Sequence, residues 1–176
     1  LPITPQDTTV TLSYNRAETL VIEEPLVDLD IESETQDAGV TIRHPLWRTP
    51  SEEFALSLGV DYRQNETFLL GEPFSFSRGA EDGETRVAAI RFTQEYLTRS
   101  RERAVALRSQ FSLGVDLLNA TARGDEPDAQ FFAWLGQFQW VERLGDSPHS
   151  VVFRAAAQLT PEPLVSLEQF SLGGMS

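Results

Sequence analysis

The stretch AVALRSQFSLGVDLL, residues 104–118, decides what kind of fold this chain can adopt. Every second residue from Val105 to Leu117 is apolar except Ser109, and the residues between them are mostly small, polar or charged. Because side chains on a strand point alternately to its two faces, the pattern predicts a strand with one apolar and one polar face. It is much longer than the average strand of about 5–6 residues, and long enough for the roughly 9–11 residues of a tilted strand that crosses a bilayer. Such a strand is typical of a wall between lipid and water.

Composition excludes several classes of protein. The net charge is −13, and all 14 basic residues are arginine, which argues against nucleic acid as a partner because phosphate binding needs a basic surface. No run approaches the roughly 20 apolar residues of a membrane-spanning helix. Cysteine is absent, which excludes disulfides, thiolate zinc sites and cysteine nucleophiles.

The same alternation recurs along the chain, at residues 8–16, 35–43, 53–69, 85–97, 130–141 and 150–159. We expect the second of these strands to end at His44-Pro45, because proline cannot donate a hydrogen bond to the ladder. Val27, Leu29 and Ile31 alternate with acidic residues, which suggests a further extension of a strand. The breaks between strands are alternately short and long, an arrangement typical of outer-membrane barrels.

We therefore predict an all-β fold, an antiparallel up-and-down transmembrane β-barrel of which this chain supplies about seven consecutive strands. A soluble sandwich would have shorter strands. A soluble barrel would have the same alternation with its faces reversed, so the pattern alone leaves open a soluble or surface β-sheet module that binds carbohydrate or protein.

Charged residues fall on the face opposite the apolar one. We interpret this face as the lining of an aqueous lumen, while an ordinary wet strand face with cross-strand ion pairs would show the same pattern. The predicted lumen-facing residues are Arg43, Asp61, Arg63, Arg91, Glu95, Arg108, Asp116 and Arg154.

Residues for catalysis or metal binding form no convincing set. His44 and His149 are both expected in turns, and Ser147 beside His149 is expected to form a local cap rather than a nucleophile and base. The acidic segments at 81–84 and 125–128 match no calcium-binding loop and are expected to be solvated. We expect neither an enzyme nor a bound cofactor or metal.

The last ten residues, LEQFSLGGMS, resemble the segment that precedes the long inward-folding loop of two-partner secretion transporters of the haemolysin-activator family (ShlB/FhaC/HecB type). Phe170, Gly173 and Gly174 match the Phe-x-x-Gly-Gly motif that begins this loop, and in that family Val-Arg-Gly-Tyr follows closely. Similarity to cyanobacterial-type members extends over VIEEP (21–25), EFALSLG (53–59), LLGEPFSFS (69–77), RFTQE (91–95), LRSQFSLG (107–114) and FFAWLGQFQW (131–140).

The resemblance implies a sixteen-stranded barrel in the outer membrane, contacting outer-membrane lipid. Periplasmic domains ahead of the barrel would capture a secreted partner exoprotein and pass it through the lumen, without ATP or a cofactor. On this mapping, residues 1–176 are a partial barrel domain that ends at the start of the inward-folding loop, an internal piece of a longer protein. The periplasmic domains and the arginine of the loop tip lie outside it, so we expect no transport by this piece alone.

Overall fold

The computed structural model describes residues 7–22, 29–76, 80, 82–116, 129–145, 147 and 149–169. These residues include eight strands and a 3-10 turn, Ser166–Glu168. The strands are β1 (Thr9–Leu20), β2 (Ile31–Arg48), β3 (Glu52–Leu69), β4 (Glu72–Pro73), β5 (Glu84–Arg99), β6 (Arg103–Val115), β7 (Phe132–Arg143) and β8 (Ser150–Leu159).

All eight strands belong to one antiparallel sheet in the order β1-β2-β3-β5-β6-β7-β8, with the short β4 paired to β3. Each long strand pairs with the next long strand of the chain, so the up-and-down arrangement of seven long strands is confirmed. Among the long strands, short connections link β2 to β3, β5 to β6 and β7 to β8, and the other connections are longer. The sheet is open, with β1 and β8 at its edges, as a partial barrel would be.

Several strands extend beyond the predicted bounds. β1 continues to Leu20, and β2 begins at Ile31, so the suggested strand extension includes Ile31 but not Leu29; Val27 lies outside the described residues. β7 begins and ends two residues later than predicted, and β6 ends at Val115, which leaves Asp116 outside the strand. Residues 117–118, the end of the predicted strand, lie outside the described residues.

The prediction that β2 ends at Pro45 was wrong. The strand runs on to Arg48, and its register against β3 shifts between Pro45 and Trp47. β1 begins at Thr9 opposite Arg43, so among the described strands this end of β2 pairs with β3 alone. Strand edges and bulges are the places where a sheet tolerates a proline, and both occur here.

The apolar face of the sheet consists of rows of large side chains in register. One row runs through Val40, Val60, Ile90 and Leu113, which are directly opposite one another on neighbouring strands. These side chains are not covered by the chain itself: Leu12 is 76% exposed, Leu58 55% and Phe153 52%. An uncovered apolar face of this extent needs another surface to cover it. No helix among the described residues is both long and apolar enough to cross a membrane.

The polar face is the better covered of the two. Small residues on it, including Ala55, Ser57, Thr93 and Ser112, are buried, as expected on the inner side of a curved sheet. This face carries most of the charged residues that are predicted to line a lumen.

Candidate functional site: the polar face of the sheet

The register places most of the predicted charged residues on one face. Arg43 is opposite Ser57, Ser57 opposite Thr93, and Thr93 opposite Gln110, so these residues of four neighbouring strands share a face. Two clusters of charged side chains occupy this face, one towards the short turns and one towards the long connections. We call them the turn-end cluster and the loop-end cluster.

The turn-end cluster is built around Arg43. Its guanidinium pairs with the carboxylate of Glu53 and donates from Nε to Glu95 Oε2 at 3.0 Å. Arg48 reaches the same Glu53 carboxylate, with Nε 3.0 Å from Oε2. The cluster therefore links β2, β3 and β5. Glu53 was not among the predicted site residues, although it lies two residues before Ala55 on the same face.

A cavity of about 650 Å³ adjoins the turn-end cluster on this face. Its lining brings together four of the predicted residues, Arg43, Glu95, Arg108 and Arg154. Arg108 donates to Gln110 Oε1 at 2.8 Å, and Arg154 lies opposite Gln139 at the β7–β8 pairing. Three of these four residues are arginines. The lining also contains the carboxylates of Glu53 and Glu95 and the amide side chains of Gln137 and Gln139.

The loop-end cluster centres on Arg91, whose guanidinium uses all of its donors. Nε and Nη2 donate to the two Asp61 oxygens at 2.6 and 3.0 Å, and Nη1 donates to Ser112 Oγ at 2.8 Å. Nη1 and Nη2 also donate to the two Glu168 oxygens at 3.0 and 2.7 Å. Five N–H groups thus meet five acceptors, the full capacity of an arginine.

Arg63 forms the second cation of the loop-end cluster. Its Nη1 lies 3.6 Å from Glu168 Oε1, and its Nε lies 3.6 Å from Asp61 Oδ2 and 3.8 Å from Asp37 Oδ1. The cluster therefore contains two arginines and three carboxylates, and it is largely shielded from solvent at its centre. The Arg91 side chain is 14% exposed and the Glu168 side chain 5%.

Glu168 belongs to a segment that folds back onto the polar face after β8. We call residues 164–169 the return segment. Leu164 and Val165 are 4% and 1% exposed. They pack in one cluster with Val87 and Ala89 of β5, Ala133 of β7, and Phe131, which directly precedes β7. Gln158 Nε2 donates to Glu168 O at 2.9 Å, which ties the segment to β8.

The sequence predicts the start of a loop after β8 and does not single out Glu168. The sequence does contain a sign that the polar face is covered: on this face, β5 and β7 carry the apolar residues Val87, Ala89 and Ala133 where polar ones are expected. An apolar patch on a wet face indicates that something covers it. The pattern does not say which segment does so.

Other predicted residues lie elsewhere. Asp116 is exposed just after β6, and Phe170, Gly173 and Gly174 lie outside the described residues. His44 is within β2 rather than in a turn, and its Nδ1 is 2.8 Å from Thr8 Oγ1.

Residues considered for catalysis or metal binding form no such site in the described part of the chain. Ser147 Oγ accepts a hydrogen bond from the backbone N–H of His149 at 2.9 Å, which is the local cap that the sequence predicts. No three His, Cys, Asp or Glu side chains among the described residues are grouped to hold a metal ion. The acidic segment 125–128 lies outside those residues.

Comparisons with known proteins agree with this architecture. The family model for the haemolysin secretion/activation protein ShlB/FhaC/HecB matches residues 1–176. CdiB from Escherichia coli has a similar structure, with a TM-score of 0.72 and 21% sequence identity over 94% of this chain. The chain spans 30% of the CdiB chain, and at this identity the likeness concerns the fold. No curated protein sequence matches the chain.

Proposed function

Because the chain belongs to the ShlB/FhaC/HecB family of haemolysin secretion/activation proteins, we propose that it is part of a two-partner secretion transporter in the outer membrane of a Gram-negative cell. In this proposal residues 1–176 form seven consecutive wall strands of a sixteen-stranded barrel. The remaining strands and the periplasmic domains would come from the rest of the protein. The cargo is a large partner exoprotein of the haemolysin or adhesin type.

The observation that carries the proposal is the contrast between the two faces of one sheet. Large apolar side chains are exposed on one face, and ion-paired or small polar side chains occupy the other. In a membrane barrel the first face contacts lipid and the second lines the lumen. We therefore assign Arg43, Asp61, Arg63, Arg91, Glu95, Arg108, Asp116 and Arg154 to the lumen lining.

The chemistry of the polar face suits the passage of an extended polypeptide. Between the two charge clusters lie small hydroxyl and glycine positions, such as Thr41, Ser57, Gly59 and Thr93. Many of the charges are already paired within the wall, so a passing chain meets hydrated but compensated groups. A conducting surface must bind weakly enough to let its cargo leave. We propose that translocation along this surface uses neither ATP nor a cofactor.

The test measures how much exoprotein a Gram-negative host releases into the medium when it carries or lacks the full-length transporter. We expect the exoprotein in the medium only when the transporter is present, and the transporter itself in the outer-membrane fraction. An equal amount of exoprotein in the medium without the transporter would contradict the proposal. Recovery of the full-length protein as a detergent-free soluble monomer would favour the β-sheet binding module instead.

A further inference from the structure

We propose that Arg91 is the anchor that latches the return segment to the barrel wall, through its paired hydrogen bonds to Glu168. While the latch is closed, residues 164–169 occupy part of the space beside the polar face. When it opens, this part of the lumen widens. The inference rests on the proposed function only in taking the polar face as the lumen; the latch itself is a property of the fold.

The geometry of the guanidinium supports the role of an anchor. Asp61 and Ser112, on β3 and β6, hold Arg91 from either side within the sheet. The remaining donors point to the two carboxylate oxygens of Glu168, a residue from outside the sheet. Arg91 is therefore oriented by the wall before the return segment arrives, and binding of the segment requires no reorganisation of the arginine.

The burial of Glu168 makes the latch depend on the arginine. A carboxylate that is 5% exposed is stable only when it is paired and hydrogen-bonded. Without the Arg91 guanidinium, the nearest described cation is Arg63 at 3.6 Å, which is too far for a strong hydrogen bond. Removing one partner of a buried ion pair is strongly destabilising because the other charge stays unpaired. We therefore expect loss of Arg91 to expel Glu168 from the wall.

The apolar contact acts together with the ion pair. Leu164 and Val165 are covered only while the segment lies against Val87, Ala89 and Ala133. In addition, Arg63 Nη1 donates a hydrogen bond to the Leu167 carbonyl oxygen at 3.3 Å. Since Val165 and Glu168 belong to one short segment, release of the carboxylate exposes the valine as well. The exposure of residue 165 thus reports the state of the latch.

The test measures this exposure by thiol labelling. Val165→Cys is placed in a cysteine-free form of the full-length transporter, reconstituted in lipid vesicles, and labelled with a membrane-impermeant maleimide. We expect slow labelling in the parent and labelling faster by about tenfold or more after either change: Arg91→Gln leaves the buried Glu168 carboxylate without its close partner, and Glu168→Gln removes from the return segment the charge that Arg91 binds. Conductance of the same proteins in planar bilayers is expected to rise with the labelling rate.

Arg108→Gln is the matched control. Arg108 is also an arginine on the polar face, but its side chain donates to Gln110 of its own strand, so its loss should leave the labelling rate unchanged. If Arg91→Gln fails to assemble, Glu168→Gln decides, because that change leaves every ladder pairing of the sheet intact. Unchanged labelling in Glu168→Gln, or an equal increase in Arg108→Gln, overturns the latch.

Secretion of the exoprotein, measured in the same strains, separates the latch from the proposed function. Faster labelling of the latch variants together with secretion by the parent supports both. Faster labelling without any secretion by the parent supports the latch and contradicts the transport function. Secretion by the parent with unchanged labelling contradicts the latch alone.

Discussion

The indole N–H of Trp134 donates a hydrogen bond to Ser109 Oγ at 2.9 Å on the apolar face. Gly136, directly opposite Ser109, lies under the indole ring, where a Cβ would come within 2.5 Å of Trp134 Cη2. The glycine thus leaves room for the ring to lie over the strand and reach the serine. Two polar groups that would each be costly in lipid satisfy one another.

Replacement of Ser109 tests this pairing. Ser109→Ala leaves the indole N–H without its acceptor, and we expect the free energy of unfolding to fall by about 1–3 kcal/mol. Denaturant unfolding of the full-length protein in vesicles, followed by tryptophan fluorescence, measures the change. Ser109→Thr keeps the hydroxyl and should retain most of the stability. Equal loss in both variants would show that the hydrogen bond is not the cause.

At the scale of elements, the segment that leads into β7 passes close to β6 at Gly114. Its backbone N–H donates to Phe131 O at 2.8 Å, just before β7 begins. A Cβ at position 114 would lie 2.1 Å from the Ala129 carbonyl oxygen, a contact with backbone that no side-chain rotation relieves. The absence of a side chain at Gly114 therefore allows the segment that leads into β7 to cover the end of β6.

We expect Gly114→Ala to displace that segment and to destabilise the fold by about 1–3 kcal/mol, as overpacking does. Gly39→Ala is the matched control, because the nearest atom there is the Ser13 hydroxyl at 3.0 Å, the end of a side chain that can rotate. Denaturant unfolding of both variants measures the difference. A loss at Gly39→Ala equal to that at Gly114→Ala would contradict the argument.

At the scale of the whole molecule, the environment of the apolar face distinguishes a membrane barrel from a soluble β-sheet module. Leu58 lies midway along the apolar run from Phe54 to Tyr62 and has Ile42 and Phe92 on either side of it. In a membrane barrel this position is at the centre of the lipid, whereas in a soluble module it is an exposed surface residue.

Leu58→Arg separates the two settings. An arginine at the bilayer midplane of a barrel costs about 2–4 kcal/mol, whereas an exposed surface substitution in water changes stability by no more than about 0.5 kcal/mol. We expect the larger loss for the full-length protein in vesicles. Thr41→Arg, on the exposed part of the polar face, is the control and should be tolerated. A neutral Leu58→Arg would contradict the membrane wall.

The open edges of the sheet belong to this scale too. In the sheet formed by the described residues, β1 and β8 each pair with one strand, so both are edge strands. Long unpaired edges pair with other strands when they are left exposed. In the proposed transporter the neighbouring strands of the same barrel cover both edges.

The sequence by itself determined the fold class, the succession of seven long strands and the division of residues between two faces. These properties follow from a period of two, which each strand carries locally. Arg91 and Asp61 could therefore be assigned to one face without a structure. The register shift in β2 after Pro45 could not be predicted from the sequence, because it depends on where the neighbouring strand begins.

Only the tertiary structure decided what covers the polar face and what completes the shell of Arg91. Glu168 is 77 residues from Arg91 in the chain, and no local pattern relates the two. Likewise, the sequence shows that Ser109 interrupts the apolar alternation of β6, but it does not show that the hydrogen-bond partner of Ser109 is Trp134 on the next strand. Periodicity specifies which way a side chain points, whereas the contacts that satisfy a buried charge or a polar group in lipid arise only when distant segments meet.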